Sequence, residues 1–404
     1  SVRQKAIDKV YSRIHKWNEM KHRKSVLTFA TGCILPADRE KLQKRFDLLF
    51  SIDDLPTLPE LIRQYGVVTP MSANPPSQGV HTAHWEVVAT PQSRFEAYVP
   101  IQNGCDKFCT FCAVPYTRGR EVSRSSDDIL AEVRSLVERG YKSITLLGQN
   151  VNSYGRDRRS EEISFAELLR QIGEIGVKTA KGRESDGPPF WVYFTSPHPR
   201  DMGDDVIQAV ADYDCLANQI HLPLQSGDDK VLIRMNRGYR LSDYRRVVES
   251  IRTRIPEATL FTDIIVGFTG ETEEQFERTR AAMREFQYNM AYIAMYSPRP
   301  GAASSRWQDD IPQPEKKRRL HELSRELQET SSRYNSSLVG TRVRVLVDGT
   351  DRKDGYLSGK TEGRLVVRFP SLYRALIGSF VELEITDCAS LSLEGHVVET
   401  VVMQ

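Results

Sequence analysis

Between about residues 93 and 300, short apolar runs alternate with longer segments whose apolar residues recur every three or four positions. The short runs predict strands at Ser143–Leu147, Trp191–Thr195, Gln219–Leu222, Leu260–Val266 and Met290–Met295. The longer segments predict helices at Ser126–Arg139, Phe165–Ile175, Asp204–Tyr213, Leu241–Ile255 and Glu273–Phe286. Repeated βα units of this kind imply a parallel sheet or partial (β/α) barrel. In such barrels ligands are met at the C-terminal ends of the strands. The polar and glycine-rich segments fall there: Gly148-Gln149-Asn150, Ser196-Pro197-His198, Pro223-Leu224-Gln225-Ser226-Gly227 and Gly267-Phe268-Thr269-Gly270-Glu271.

The flanking segments carry other patterns. Residues 1–70 read as α/β, with a helix over Ala6–His22, a strand over Ser25–Ala30, then Thr31-Gly32-Cys33 and a further helix. The chain opens at Ser1-Val2-Arg3 directly in helix-like sequence, which creates the expectation that an N-terminal piece precedes it. Residues 71–92, with Pro75, Pro76, Gly79 and Pro91, read as a linker. A second linker over Ser297–Pro314 leads to a charged helix from Glu315 to about Asn335, with Leu320, Leu323 and Leu327 at helical spacing. Residues 340–404 are dense in strand signals (Thr341–Val347, Gly363–Phe369, Phe380–Ile385, His396–Val402) and predict a small antiparallel β-barrel. The fold class is therefore α/β, with an N-terminal α/β domain at 1–70, the partial barrel at 93–300, a linker and helix at 301–339 and the small barrel at 340–404.

Composition changes this picture little. With 39% hydrophobic and 27% charged residues, the 404-residue chain has the makeup of a globular protein of several domains. No apolar run reaches bilayer length and no N-terminal targeting pattern appears. A thiol-based metal site and unpaired cysteines fit a reducing compartment, so the expected location is the cytoplasm. Net charge is only +2, but residues 1–45 hold twelve Lys or Arg against four acids, and residues 340–374 hold eight against four. Such patches suit a polyphosphate partner, and a basic face on a small β-barrel suits looped RNA. The cluster Lys316-Lys317-Arg318-Arg319 reads more simply as a solvated first turn.

The chemistry is concentrated in Cys105-Asp106-Lys107-Phe108-Cys109-Thr110-Phe111-Cys112. Three thiolates on one short loop suit an iron–sulfur cluster, which ordinarily takes four cysteines. With three, one iron stays open to another ligand. A structural zinc would need a fourth ligand from Cys33, Cys215, Cys388 or a distant histidine. A disulfide framework is disfavoured by the irregular spacing.

The run from Gly104 through Cys112 resembles the radical S-adenosylmethionine (SAM) enzymes, and within them the methylthiotransferases. Ala113-Val114-Pro115-Tyr116-Thr117-Arg118-Gly119-Arg120-Glu121, Leu147-Gly148-Gln149-Asn150-Val151-Asn152-Ser153-Tyr154, His221 to Gly227, Met235-Asn236-Arg237-Gly238-Tyr239 and Thr262 to Phe268 extend the match over essentially the whole chain. The branch it resembles is the MiaB type, which methylthiolates N6-isopentenyladenosine at position 37 of tRNA. Residues 340–404 resemble the tRNA-binding TRAM domain of that family. The resemblance implies that Cys105, Cys109 and Cys112 hold a radical-SAM [4Fe-4S] cluster whose open iron binds SAM. Phe111, Gln149, Gln225, Arg237 and Asp263 would lie at SAM or substrate. Cys33 matches one of three ligands of an auxiliary [4Fe-4S] cluster, and the other two are absent from this sequence. Thr269 stands where the family usually has proline.

The family's reaction, carried over, uses one SAM to methylate a sulfur of the auxiliary cluster and a second to supply the 5′-deoxyadenosyl radical that activates C2–H of adenine. The base would be turned out of the anticodon loop, because an enzyme acting on a base must unstack it. Expected partners are tRNA, an electron donor such as flavodoxin or ferredoxin, and sulfur or cluster-assembly proteins, with the chain a monomer. The same chemistry on threonylcarbamoyl-adenosine or on a ribosomal-protein aspartate, a non-catalytic iron–sulfur tRNA-binding protein, and a zinc-stabilised RNA-binding module are the rival readings.

Overall fold

The structure is a computed structural model that describes residues 4–23, 26–32, 34, 36–64, 85, 93–181 and 187–398. Cys33 and nearly all of the 71–92 linker lie outside the described residues. The N-terminal unit comprises helix α1 (Gln4–Arg23), strand β1 (Phe29–Ala30), helix α2 (Pro36–Gln43), strand β2 (Leu48–Leu49) and helix α3 (Leu58–Gln64). Strands β1 and β2 are parallel, and Ile14 of α1 packs with Leu42, Phe46 and Leu49. The strand is shorter than the sequence pattern suggested.

The middle of the chain follows the predicted alternation. It runs β3 (Glu96–Pro100), β4 (Gln102–Asn103), α4 (Val114–Arg118), β5 (Val122–Ser123), α5 (Ser126–Glu138), β6 (Ser143–Leu147), α6 (Phe165–Ala180), β7 (Trp191–Phe194) and α7 (Asp204–Asp212). It continues with β8 (Gln219–His221), α8 (Asp229–Arg234), α9 (Leu241–Arg254), β9 (Thr259–Val266), α10 (Glu273–Phe286) and β10 (Met290–Met295). Two parallel three-stranded sheets, β3-β6-β7 and β8-β9-β10, meet where Val192 of β7 bonds the backbone of Cys215 and Ala217 just before β8. The result is an open, partial barrel in which, among the described residues, β3 and β10 are the unpaired edges.

Strand alternation separates two environments. Ile144 and Leu146 of β6 face the helices with Ile129, Leu130 and Val133, whereas Thr145 between them faces inward. Caps place the helices: Ser164 accepts from the Glu167 amide at 3.2 Å to start α6, and Thr272 with Gln275 forms a capping box on α10. Helix α6 outruns its predicted end at Ile175 by five residues. Gly173 and Gly176 lie within it and admit neighbours. A Cβ on Gly176 would sit 2.4 Å from Cys215 Sγ. Cys215 is a packed core residue.

The last part holds α11 (Gln313–Ser337) and a closed barrel of β11 (Arg342–Thr350), β12 (Tyr356–Thr361), β13 (Val366–Pro370), β14 (Phe380–Ala389) and β15 (Ser392–Val397), antiparallel as expected except that β13 and β15 close it in parallel. Its core is Val345, Val347, Leu357, Val367, Phe369, Leu383, Ile385 and Leu393. The sequence reading missed β12, whose Gly359 and Lys360 weaken the strand signal. It also placed the final strand about four residues too late.

Two further expectations are corrected. The segment read as a second linker is packed: Ser304 donates its amide to the Thr110 carbonyl at 2.8 Å, and Tyr296 bonds the Ser304 hydroxyl at 2.9 Å. Lys316 and Arg319, read as part of a solvated turn, are buried at 0% and 4% exposure. The cations of residues 340–374 do not form a single face either. Arg344 lies over the Phe380 ring, and Arg364 reaches into the larger barrel.

The turn between β12 and β13 closes the N-terminal end of the larger barrel. Tyr193 Oη donates to the Glu362 carbonyl at 3.0 Å and Thr259 Oγ1 to the Gly363 carbonyl at 2.8 Å. Arg364 bonds Thr145 Oγ1 at 2.9 Å and stacks 4.0 Å above the Tyr193 ring. Beside it Trp191, Tyr193, Ala217 and Leu346 form a shared apolar patch with Phe95 and Phe380.

Candidate active site

The cysteine loop hangs from a short antiparallel bracket. Strand β4 pairs with β5, Gln102 opposite Ser123, and residues 104–121 span the gap. Gly104 turns the chain at φ 78°, where a Cβ would fall 1.9 Å from the Arg120 carbonyl oxygen, so no other residue fits. The Cys105 amide then donates to the Gly119 carbonyl at 3.2 Å and the Cys112 amide to the Cys109 carbonyl at 3.0 Å.

All three cysteines face inward, with Cys105 9% and Cys109 7% exposed. Burial pushes the Cys105 thiol up to about 12 and the Cys112 thiol up to about 11. Cys105 also feels Cys109 and Cys112 as like charges, and Cys112 feels Cys109. Three such groups become thiolates together only when bound cations hold them there. Among the described residues no three His, Cys, Asp or Glu side chains converge closely enough to grip one metal ion. A cluster with one cysteine at each of three corners asks for no such convergence, so this donor set fits iron–sulfur and not zinc.

Every strand-end loop named from the sequence is tied to this loop. Lys107 lies between the first two cysteines, and its Nζ pairs with Asp201 Oδ2 at 2.5 Å, both side chains almost wholly buried. Asp201 also accepts from Arg156 Nη1 at 2.6 Å and from Asn150 Nδ2 at 3.2 Å. Although burial works the other way, these partners hold the Asp201 carboxyl below its ordinary value. Asn150 bonds Glu121 at 3.1 Å, and Asn152 exchanges hydrogen bonds with the backbone of His198. Burial first, and then the cations Arg237, Lys107 and Arg200, keep His198 neutral. From the other side the Thr110 amide donates to the Met235 carbonyl at 3.0 Å, and Asn236 Nδ2 donates to the carbonyls of Lys107 and Phe108.

The five residues expected at SAM or substrate are placed differently from one another. Phe111 packs against Val231, Met235, Phe268 and Tyr296, joining the cysteine loop to the ends of β8, β9 and β10. Gln149 has a buried Oε1 with no hydrogen-bond partner. Gln225 is buried in the left-handed region at φ 72°, bonded through its backbone to Asp263 and Ile265 of β9. Asp263 lies mid-strand and accepts from His221 Nε2 at 3.0 Å. Arg237 is buried and donates from Nη1 to Cys109 Sγ at 3.3 Å. Sequence reasoning missed Lys107 and Asp201 as a pair. The only available signal was a lysine amid the cysteines and an aspartate just beyond Ser196-Pro197-His198.

Comparison with known proteins agrees with this geometry. Residues 99–283 match the radical SAM superfamily and residues 336–398 the TRAM domain. The tRNA-2-methylthio-N(6)-dimethylallyladenosine synthases of Yersinia enterocolitica, Actinobacillus succinogenes and Pasteurella multocida are each 36% identical to it, over 99% of this chain and 83% of their own length. The chain belongs to the MiaB family of radical SAM methylthiotransferases. Among solved structures, the cobalamin-dependent SAM radical enzyme OxsB aligns over 74% of the chain and 43% of its own, with TM-score 0.48 and 15% identity. Membership of the family brings SAM and [4Fe-4S] clusters as cofactors. Among the described residues no helix is long and apolar enough to cross a membrane.

Proposed function

We propose that the chain installs a methylthio group at C2 of N6-isopentenyladenosine, position 37 of tRNA. The observation that carries the reading is the site itself: three cysteines on one loop, Cys105 and Cys109 buried and Cys112 partly so, held by four other strand-end loops, in a chain whose relatives bear the name of that activity. When bound, the cluster supplies the electron that cleaves SAM to a radical. The protein's own residues orient and exclude water. Cys105, Cys109 and Cys112 hold the cluster, and Phe111 fixes their loop against the floor of Phe268 and Tyr296. We assign the unpartnered Gln149 Oε1 to SAM or the base, because a buried acceptor without a donor is costly. We assign Gln225, just beyond the end of β8, and Asp263, paired with His221, to the same SAM or substrate region.

The reading carries further parts with it. Cys33 would ligate the auxiliary cluster. A low-potential one-electron donor of the flavodoxin or ferredoxin kind and sulfur-delivering assembly proteins would act on it in the cytoplasm. The RNA partner would be the anticodon stem-loop.

Deleting the gene in its host and weighing the nucleosides of total tRNA by mass spectrometry tests the reading. Loss of methylthio-isopentenyladenosine with accumulation of isopentenyladenosine is expected. Loss of a different methylthio nucleoside would keep the chemistry and change the substrate. Persistence of all of them would sink the tRNA assignment.

A further inference from the structure

Arg237 is 6% exposed, and each nitrogen of its guanidinium is engaged. Nε donates to the Tyr239 hydroxyl at 3.2 Å, Nη2 to the Pro223 carbonyl at 3.0 Å and Nη1 to Cys109 Sγ at 3.3 Å. Tyr239 donates in turn to the Leu224 carbonyl at 2.7 Å, which fixes the phenol on which the guanidinium rests. The neighbouring Asn236, at φ 56°, holds the backbone of the cysteine loop, so one turn grips that loop both at its carbonyls and at a sulfur.

A cation buried this deeply needs a counter-charge. Among the described residues no carboxylate is hydrogen-bonded to Arg237, and its other two acceptors are neutral oxygens. The one acceptor able to carry negative charge is Cys109. We propose that Arg237 is the built-in counter-charge of the iron–sulfur cluster, donating to the Cys109 thiolate and raising the cluster's reduction potential.

The physical argument is short and rests on the cluster reading above. A one-electron reduction by an external low-potential donor adds negative charge to the cluster. A charged donor on a ligand sulfur in a water-poor site stabilises the reduced form more than the oxidised one. The fork that reaches Cys109 is held from behind by Tyr239 and Pro223, so three of its five N–H donors fix its orientation on the sulfur.

The test is a redox titration of the reconstituted protein on a Cys33→Ala background, so that a second cluster does not contribute, followed by visible absorbance and by electron paramagnetic resonance. Arg237→Gln is expected to retain its iron and to lower the reduced-to-oxidised ratio at fixed potential at least tenfold, about 59 mV for one electron. Arg237→Lys, which keeps the charge and loses the fork, is expected to shift the same way by less. A substituted protein with full iron content and an unshifted midpoint would overturn the proposal alone. Protein that never takes up iron would overturn the cluster reading and the proposal with it. Should Arg237→Gln fail to hold iron, the unsubstituted protein still decides. With 15N-arginine and no SAM, the reduced cluster should show hyperfine coupling to a guanidinium nitrogen, and its absence sinks the idea.

Discussion

Lys107 lies among the cluster ligands yet spends its charge on Asp201, and the pair fixes the cysteine loop against the ends of β6 and β7. Removing one member of a buried ion pair leaves the other uncompensated and costs about 3–5 kcal/mol. Arg156 still faces Asp201, so Lys107→Met should fall at the lower end of that range, read by urea unfolding, and should slow iron uptake during reconstitution. The depressed Asp201 carboxyl gives this contact a pH signature. Its stabilisation is present above the ordinary aspartate value of 3.8 and is lost as pH falls through the lower folded value. The cysteines themselves were legible in the sequence because their spacing states their chemistry. The partners of Lys107 and Arg237 were not, since which distant loop meets a given side chain depends on the closure of the sheet.

At the level of an element, α11 shows a signal that was present but read too narrowly. Leu320, Leu323 and Leu327 lie on a stripe that extends back one turn to Lys316, with Arg319 beside it. Both cations therefore point into the protein. Lys316 Nζ binds Asp309 at 2.6 Å and the Tyr296 carbonyl at 3.1 Å, while Arg319 binds Glu271 at 2.9 Å. Glu271 in turn accepts from the Gly267 amide at 2.6 Å, shaping the turn after β9. Arg319→Ala would strand a buried carboxylate and is expected to cost about 3–5 kcal/mol by urea titration. A second change, Glu271→Gln, should recover part of that loss. A run of four basic residues resembles a solvated surface by composition. Its helical phase carried the contrary information.

Across the whole molecule, the small barrel is docked by its β12–β13 turn. Burial, followed by the nearby acids Glu257 and Asp214, pushes the Glu362 carboxyl up to about 7. The native state thus keeps a proton that the unfolded chain releases above 4.5, so docking weakens as pH rises from there through about 7. The thermal midpoint should fall between pH 6 and pH 8 in the native sequence, and fall less in Glu362→Gln. At the other end of the same barrel, Leu372 and Tyr373 are 87% and 67% exposed beside Arg374, and the Ser371 amide bonds Gly355 of the adjoining loop that carries Arg352. If RNA meets this tip, Tyr373→Ala should weaken tRNA binding by about 1–3 kcal/mol. Arg374→Ala should lower the salt slope by about one, read from binding isotherms over a range of salt concentration. The barrel's existence and class were legible from alternating strands. Its docking was not, because the turn that performs it is a Glu-Gly-Arg indistinguishable from any surface hairpin.

The same turn settles how reagents travel. Thr145, Tyr193 and Thr259 beneath the lumen are 2%, 4% and 2% exposed, so nothing leaves downward. Among the described residues the lumen is bordered by the cluster rim and by the seam between β3 and β10, where Tyr98 and Tyr292 are 62% and 42% exposed. Spent methionine and 5′-deoxyadenosine must depart past the rim or through the seam, and a tRNA seated on the rim leaves them the seam. Bulkier side chains at Tyr98 or Tyr292 should then slow turnover more than they weaken RNA binding.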